Sequence, residues 1–406
     1  MLDQSINKSS LKYIINDFEK NLKFKSEFSN GTDVVVENIL SQYRKSEPFE
    51  LLTVRSIKGK KAYQAEDIYP YYLLKRFNVT FKTINSLKQA NRNEIVSSIV
   101  ALIKDKRPYS IIRLDIEQFY ESVNRDIISD NLKQDIAYSK STTNNLEKWF
   151  DCFERSNVSG LPRGLSVSAS LSEYYLRDFD KNVQRIEGVF YYARFVDDII
   201  IFTTNEPENT IKEVENHLPK GLKFHQSNEK RDVLIIPKEN NINSENLEFN
   251  YLGYEFSIII EKKKLATKVN FSKRKVNNIK TKIVKSLLSF KENNDFSLLK
   301  SRVCFLTHNY YIHNKYRDTK IRSGIYYNYP FITNPEECRL NDLDDFLKEL
   351  LFNSSSCKRV LGSMHGLSNQ QRKILVRMRF SNGYIDKRFH KFTYRKMMQV
   401  KSCWSY

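Results

Sequence analysis

Two stretches decide how this chain is read: YSIIRLDIEQFY at 109–120 and FYYARFVDDIIIFTT at 190–204. Both are rich in Ile, Phe and Tyr, the composition of buried strands. Each interrupts that character with acid. Asp115 ends the first run, and Asp197 with Asp198 splits the second. Adjacent carboxylates inside an apolar strand–turn–strand are costly, because like charges repel and each resists desolvation. A bound divalent cation removes the cost, and an all-oxygen ligand set suits Mg²⁺. Taken by themselves, Asp197 and Asp198 could simply turn a hairpin. Asp115, 82 residues upstream in a matching context, points instead to three carboxylates from separate elements meeting on one sheet. Around two cations such a group stabilises the attacking and leaving oxygens of phosphoryl transfer.

Working outward, GLPRGLSVSASLSEYYLRDF at 160–179 reads as a Pro/Gly turn and a helix capped by Ser166 or Ser168. Upstream, TVRSIKGKKAY at 53–63 predicts a strand, a lysine-rich turn and a second strand. Residues 66–103 read as helical, as does the spacing of Leu11, Ile14, Ile15, Phe18 and Leu22. Downstream come a helix (TIKEVENHL) and strand-like runs KFHQ, DVLIIP and FNYLGYEFSIII. From about residue 270 the pattern is helical and basic, with FSKRKVNNIKTKIVKSLLSF, SLLKSRVCFLTHNYYIH and LNDLDDFLKELLF, so His308 and His313 are expected on a helix. This order predicts an α+β core followed by helices.

The chain has 406 residues and 40% hydrophobic content, enough to fill a core and exclude disorder. Eleven glycines exclude collagen-like architectures, and five scattered cysteines without C-x-x-C pairs exclude a disulfide scaffold. There is no apolar run of about 18 residues, and the opening MLDQSINKSSLKYIINDFEK carries charge where a signal peptide needs apolar residues. The expectation is a reduced, cytoplasmic protein with no membrane partner. The net charge is +19. A Lys-, Asn- and Ile-rich composition follows from an AT-rich genome, but the distribution of charge does not. Between 353 and 406 stand twelve Lys or Arg against one acid, Asp386, interleaved with Phe380, Tyr384, Phe389, Phe392, Tyr394 and Trp404. Cations that meet phosphates and rings that stack on bases predict nucleic-acid binding; a solvated basic helix is the alternative.

The motifs resemble, in order and spacing, those of reverse transcriptases. LDIEQFYESV resembles motif A, LPRGLSVSASLSEYYL motif B and ARFVDDIIIF motif C. SNEKRDVL, with Asn228 and Lys230, resembles motif D, and YLGYEF, with Leu252 and Gly253, resembles the primer grip of motif E. The likeness covers roughly 50–290. It implies a right-hand polymerase fold with an antiparallel palm sheet: an N-terminal segment and fingers at 1–107, palm at 108–262, helical thumb at 263–352, and a basic aromatic nucleic-acid-binding extension at 353–406. It also implies an RNA-directed DNA polymerase that adds dNMPs with two Mg²⁺ ions, Mn²⁺ being an alternative. Asp115, Asp197 and the Ile116 carbonyl would hold the metals, with Asp198 in support. Tyr120 would exclude a 2′-hydroxyl, with Phe119 beneath it. Lys230 would protonate the leaving pyrophosphate. Lys58, Lys60, Lys61 and Arg76 are candidate triphosphate contacts, and Arg163 and Gly164 belong to the nucleotide site. Lys273, Arg274, Arg377, Arg379, Lys387, Arg388 and Arg395 are candidate nucleic-acid contacts.

The chain departs from the family pattern in three places. Phe195 stands where motif C usually has Tyr, Arg163 where Gln commonly precedes Gly164, and Gln64 where the fingers are expected to have Arg. The motif flavour, with SGIYYNYP at 323–330 and LDDFL at 343–347, resembles bacterial defence-associated and abortive-infection (unknown-group) reverse transcriptases. The opening MLDQS is similar to the smaller polymerase of the type-3 defence system. That resemblance implies a small structured noncoding RNA as template, a DNA product, dNTPs and a second reverse transcriptase subunit, in antiviral (phage) defence. Template-independent or protein-primed DNA synthesis, and a catalytically silent RNA-binding scaffold, stand as the alternatives.

Overall fold

A computed structural model describes residues 3–45, 52–57, 59–86, 90–227, 230–237, 244–261, 264–314, 319–363 and 365–404. Lys58, Asn228 and the first two residues of MLDQS lie outside them. The chain folds as two units, one formed by 1–95 and 107–237, the other by 96–106 and 238–406.

The first unit contains α1 (Lys8–Ile14), α2 (Thr32–Lys45), β1 (Thr53–Ile57), β2 (Lys60–Gln64), α3 (Ile68–Asn85) and the start of α4 (Arg92–Leu102). It continues with β3 (Tyr109–Asp115), α5 (Phe119–Ser122), α6 (Arg125–Gln134), α7 (Lys140–Arg155), α8 (Ser166–Tyr175) and α9 (Arg177–Val183). The hairpin β4 (Val189–Phe195)–β5 (Asp198–Thr203), α10 (Pro207–His217) and β6 (Asp232–Ile236) complete it. The helical spacing at 11–22 is broken, since α1 stops at Ile14 and a π-type turn covers Glu19–Lys23.

Four strands make one antiparallel sheet in the order β4-β5-β3-β6. Ile112, Leu114, Ile199 and Ile201 from its central strands join a core with Val167 and Leu171 of α8, Phe179 of α9 and Ile211 of α10. Each of these side chains is all but inaccessible to water, and burial of one stabilises the fold by about 2 kcal/mol. Helix α8 begins at Ser166, but neither serine caps it: Leu165 occupies the N-cap without a side-chain bond, and Ser168 is buried.

The second unit opens with the antiparallel meander β7 (Ser244–Tyr251), β8 (Tyr254–Glu261) and β9 (Lys264–Phe271). It goes on with α11 (Lys273–Asn293), α12 (Phe296–Thr307), the hairpin β10 (Asn309–Asn314)–β11 (Thr319–Gly324), and α13 (Leu340–Phe352). Helices α14 (Ser354–Leu361), α15 (Asn369–Val376), α16 (Phe380–Ile385) and α17 (Tyr394–Lys401) end it. Ser272 and Asp295 cap α11 and α12 by accepting from Lys275 N and Leu298 N. NYYIH, expected to be helical, is strand β10. Its run of Tyr310, Tyr311 and Ile312 favours a strand, and His308 ends α12, so His308 and His313 do not share a helix.

Most aromatics of the basic tail are core. Phe380 and Tyr384 are buried, Phe392 packs on Phe305 and Tyr310, and the Trp404 indole donates to the Lys282 carbonyl. Phe389 and Tyr394 are the exposed exceptions. All five cysteines are free, and no described helix is long and apolar enough to cross a membrane.

Candidate active site

Register brings the acids together. In the β3–β5 ladder Asp115 lies directly opposite Asp198, which places both side chains on one face. Asp197 occupies the two-residue turn between β4 and β5, and its carbonyl accepts from Ile116 N at 3.1 Å. Ligand oxygens of Asp115, Asp197 and Asp198 all lie within 4.8 Å of one another. Among the described residues this is the one group of three acidic, His or Cys side chains so arranged.

The turn is held under strain. Val196 has φ +63°, a left-handed conformation that a β-branched residue rarely adopts. Buried Arg194 fixes it: one guanidinium nitrogen donates to the Val196 carbonyl at 2.9 Å while the others pair with Glu173 of α8 and Asp180 of α9. Tyr192 adds a hydroxyl bond to Asp180 at 2.5 Å.

The electrostatics are those of a cation site. Burial, and then the neighbouring Asp115, push the Asp197 carboxyl above its ordinary range. Burial and then Asp197 raise Asp198 to about 6. Two protein cations and a histidine face the acids. Lys230 Nζ lies 2.6 Å from Asp115 Oδ2, His225 Nε2 lies 3.4 Å from Asp115 Oδ1, and Arg113 approaches Asp198 at 3.8 Å. The Lys230 ammonium already sits against Asp115 at this cluster. The hard oxygen donors and their excess negative charge fit Mg²⁺ or Mn²⁺.

Beside the acids lies a second cluster. Phe119 is buried under the sheet face, and Tyr120 stands next to it with ring centroids 5.5 Å apart. The Arg163 guanidinium lies 5.2 Å above the Tyr120 ring and forms a bidentate pair with Glu121, at 2.6 and 2.8 Å. The loop carrying Arg163 is clamped on both sides. Leu161 N donates to the Tyr120 carbonyl, and Tyr63 N of β2 donates to the Arg163 carbonyl, each at 2.7 Å. Only glycine fits at two points here: a Cβ on Gly160 would lie 2.1 Å from Tyr120 O, and one on Gly164 2.6 Å from Tyr63 O, both at positive φ.

Other residues singled out from the sequence lie elsewhere. Lys60 and Lys61 are exposed on β2. Arg76 is buried in α3 and donates to the carbonyls of Asp3 and Ser5, so it anchors the N-terminal segment instead of presenting a free cation. Leu252 and Gly253, φ +47° and +81°, form the tight turn joining β7 to β8 in the second unit. Lys273, Arg274, Arg377, Arg379, Lys387, Arg388 and Arg395 are all exposed there, with Arg379 paired to Asp344 and Arg388 to Asp386. Arg113, Arg194 and His225 were missed. An Arg inside an apolar run, as in YSIIRLDI and FYYARFVDD, is the signal that could have found the first two of these.

Residues 58–256 match the family model for reverse transcriptase (RNA-dependent DNA polymerase). The chain carries a reverse transcriptase domain. All three acids lie within it. The architecture is α+β with an antiparallel sheet, as the motifs led one to expect. Among solved structures, this chain is similar to apo telomerase from Candida tropicalis truncated from its C-terminal domain. That likeness is 16% identical, covers 59% of this chain and 60% of that one, and has a TM-score of 0.35. It is also similar to telomerase from Candida albicans in complex with a TWJ fragment of telomeric RNA: 12% identity, 84% and 65% coverage, TM-score 0.34. The chain spans about 60% of the length of the first of these, and at such scores the likeness carries no functional argument. No curated protein matches the chain significantly.

Proposed function

We propose that this chain is an RNA-directed DNA polymerase that extends a primer with dNMPs opposite an RNA template. One observation carries the reading: Asp115 of β3, Asp198 of β5 and Asp197 of the β4–β5 turn converge inside a reverse transcriptase domain. Two Mg²⁺ ions held by these carboxylates and the Ile116 carbonyl would stabilise the attacking and leaving oxygens. The protein's own groups do the rest. Tyr120 closes the space a 2′-hydroxyl would need. Arg163, fixed by Glu121, braces that ring. Lys230, already bonded to Asp115, would donate a proton to the leaving pyrophosphate. Lys60 and Lys61, with Lys58, supply cations for the triphosphate, and the Leu252–Gly253 turn steadies the primer. The exposed cations at 273–274 and 377–395 hold the RNA.

The finer reading rests on motif resemblance: a defence-associated, cytoplasmic enzyme that copies a bound structured noncoding RNA and works with a second reverse transcriptase subunit. Template-independent synthesis is its nearest rival, and Arg163 in place of Gln favours keeping it in view. Purified protein with its co-purifying RNA, given each dNTP singly and then together, separates the readings. Product sequence matching a segment of the RNA supports templated synthesis, and homopolymer from a single dNTP supports the rival. Asp197→Ala should lower incorporation at least about 10³-fold while leaving RNA retention unchanged. Retained incorporation in that variant sinks the assignment.

A further inference from the structure

Strand alternation sorts the β10–β11 hairpin into two faces. Tyr310 and Ile312 turn inward onto Phe305, Met397 and Val400. Tyr311 turns outward, directly across from Arg322. Phe389 stacks on Tyr311 with centroids 4.9 Å apart and planes 26° from parallel, and Tyr327 leans on Phe389 at 5.5 Å. The Arg322 guanidinium sits 5.6 Å over Tyr327, and the Lys387 ammonium 4.5 Å over Tyr326. After all this mutual packing Tyr311 and Phe389 are each still 40% exposed. Lys320, on the same face as Arg322, and Lys391 are exposed as well. Asp386 is already paired with Arg388 at 2.8 Å.

The rings are held by a built support. Asn309 is wholly buried and uses every polar atom it has. Its N and Nδ2 donate to the Arg388 carbonyl at 2.8 and 3.1 Å, and Nδ2 also reaches the Gly383 carbonyl at 3.1 Å. Its carbonyl accepts from His390 N at 2.8 Å, and Oδ1 accepts from Tyr326 N at 3.0 Å. Segments 326–327 and 387–390 are therefore bolted to β10, and little ordering entropy is left to lose when a ligand arrives.

We propose that Tyr311, Phe389 and Tyr327, with Arg322, Lys387 and Lys320, form a stacking platform for single-stranded nucleic acid. Bases lie on the rings and phosphates meet the cations. A protein-docking patch is depleted in lysine at its centre and does not surround its aromatics with unpaired cations, whereas a single-strand site requires that mixture. The inference deepens the RNA-holding part of the polymerase reading, with which it shares Lys387, and does not depend on catalysis.

Fluorescence anisotropy of labelled 12-nucleotide oligouridine and oligothymidine on the full chain, across a salt series, tests it. Tyr311→Leu and Phe389→Leu keep apolar volume but lose the π-face. Each should weaken binding about tenfold with the salt slope unchanged, while Tyr311→Phe binds as wild type. Arg322→Gln should weaken binding and lower the slope by about one. Thermal midpoints within a few degrees of wild type exclude a folding loss. Wild-type affinity in both leucine variants, or no binding of either oligonucleotide by wild-type protein, overturns the platform. Tighter binding of oligouridine assigns it to template, and of oligothymidine to product. A wild-type chain that binds through these rings but incorporates nothing would sink the polymerase reading and leave the platform standing. Normal incorporation with unaffected leucine variants would do the reverse.

Discussion

Asp198 works against the fold that carries it. Held with its carboxyl raised to about 6 by burial and by Asp197, it costs stability whenever it is ionised without a cation. Asp198→Asn should therefore stabilise the metal-free protein by about 1–2 kcal/mol, read by urea denaturation, while abolishing incorporation. A metal-free variant less stable than wild type would show that the acids are not in conflict. Tyr120→Ala should raise ribonucleotide use at least about tenfold relative to deoxynucleotides. Arg163→Ala, which removes the guanidinium over that ring, should loosen the same selection by a smaller factor. Unchanged sugar discrimination in both, measured as the ratio of kcat/KM for dATP and ATP, removes them from the gate. The acids themselves could be read from the sequence, because a carboxylate in an apolar strand needs an explanation. The pairings of Arg113 and His225 could not. Their importance comes from facing Asp198 and Asp115 across the sheet, a property of register and not of local pattern.

Strands β3, β4 and β5 were legible for the same reason that they fold: long Ile- and aromatic-rich runs admit few other structures. Strand β10 was not, because six residues after a helix show too few periods to tell 3.6 from 2. The tail aromatics misled because alternation with lysine looks alike on a core-facing helix and on a binding surface. Helix α16 shows how tightly that tail is docked. A Cβ on Gly383 would lie 1.7 Å from the Thr307 carbonyl oxygen at the end of α12, so backbone meets backbone there. Gly383→Ala should destabilise the second unit by about 3 kcal/mol in chemical denaturation, with little change in the first. A loss below about 1 kcal/mol would mean the two helices can part without cost.

The two units should answer acid in opposite ways. Burial holds His308, His365 and His390, all in the second unit, below the ordinary histidine range. Unfolded histidines take up protons near pH 6.5 while these resist, so their contribution is present above that pH and lost as pH falls through their lower folded values. In the metal-free first unit the raised Asp197 and Asp198 act with the other sign. Their contribution is full below about pH 4 and lost as pH rises through about 6. Hydrogen exchange on metal-free protein at pH 7.5 and 5.5, corrected for intrinsic rates, should show protection falling in α12–α16 on acidification and holding or rising in β3–β5. Added Mg²⁺ should protect β3–β5 more at pH 7.5 than at 5.5. Parallel changes in both units would refute this. One consequence reaches across the first unit. Because Tyr63 is tied to the Arg163 carbonyl and Leu161 to that of Tyr120, the lysine-bearing hairpin, the glycine loop and the aromatic gate behave as a single lever. Under the proposed polymerase reading, a pull on the hairpin would reach the ring, so engaging a triphosphate and checking the sugar would become one mechanical event.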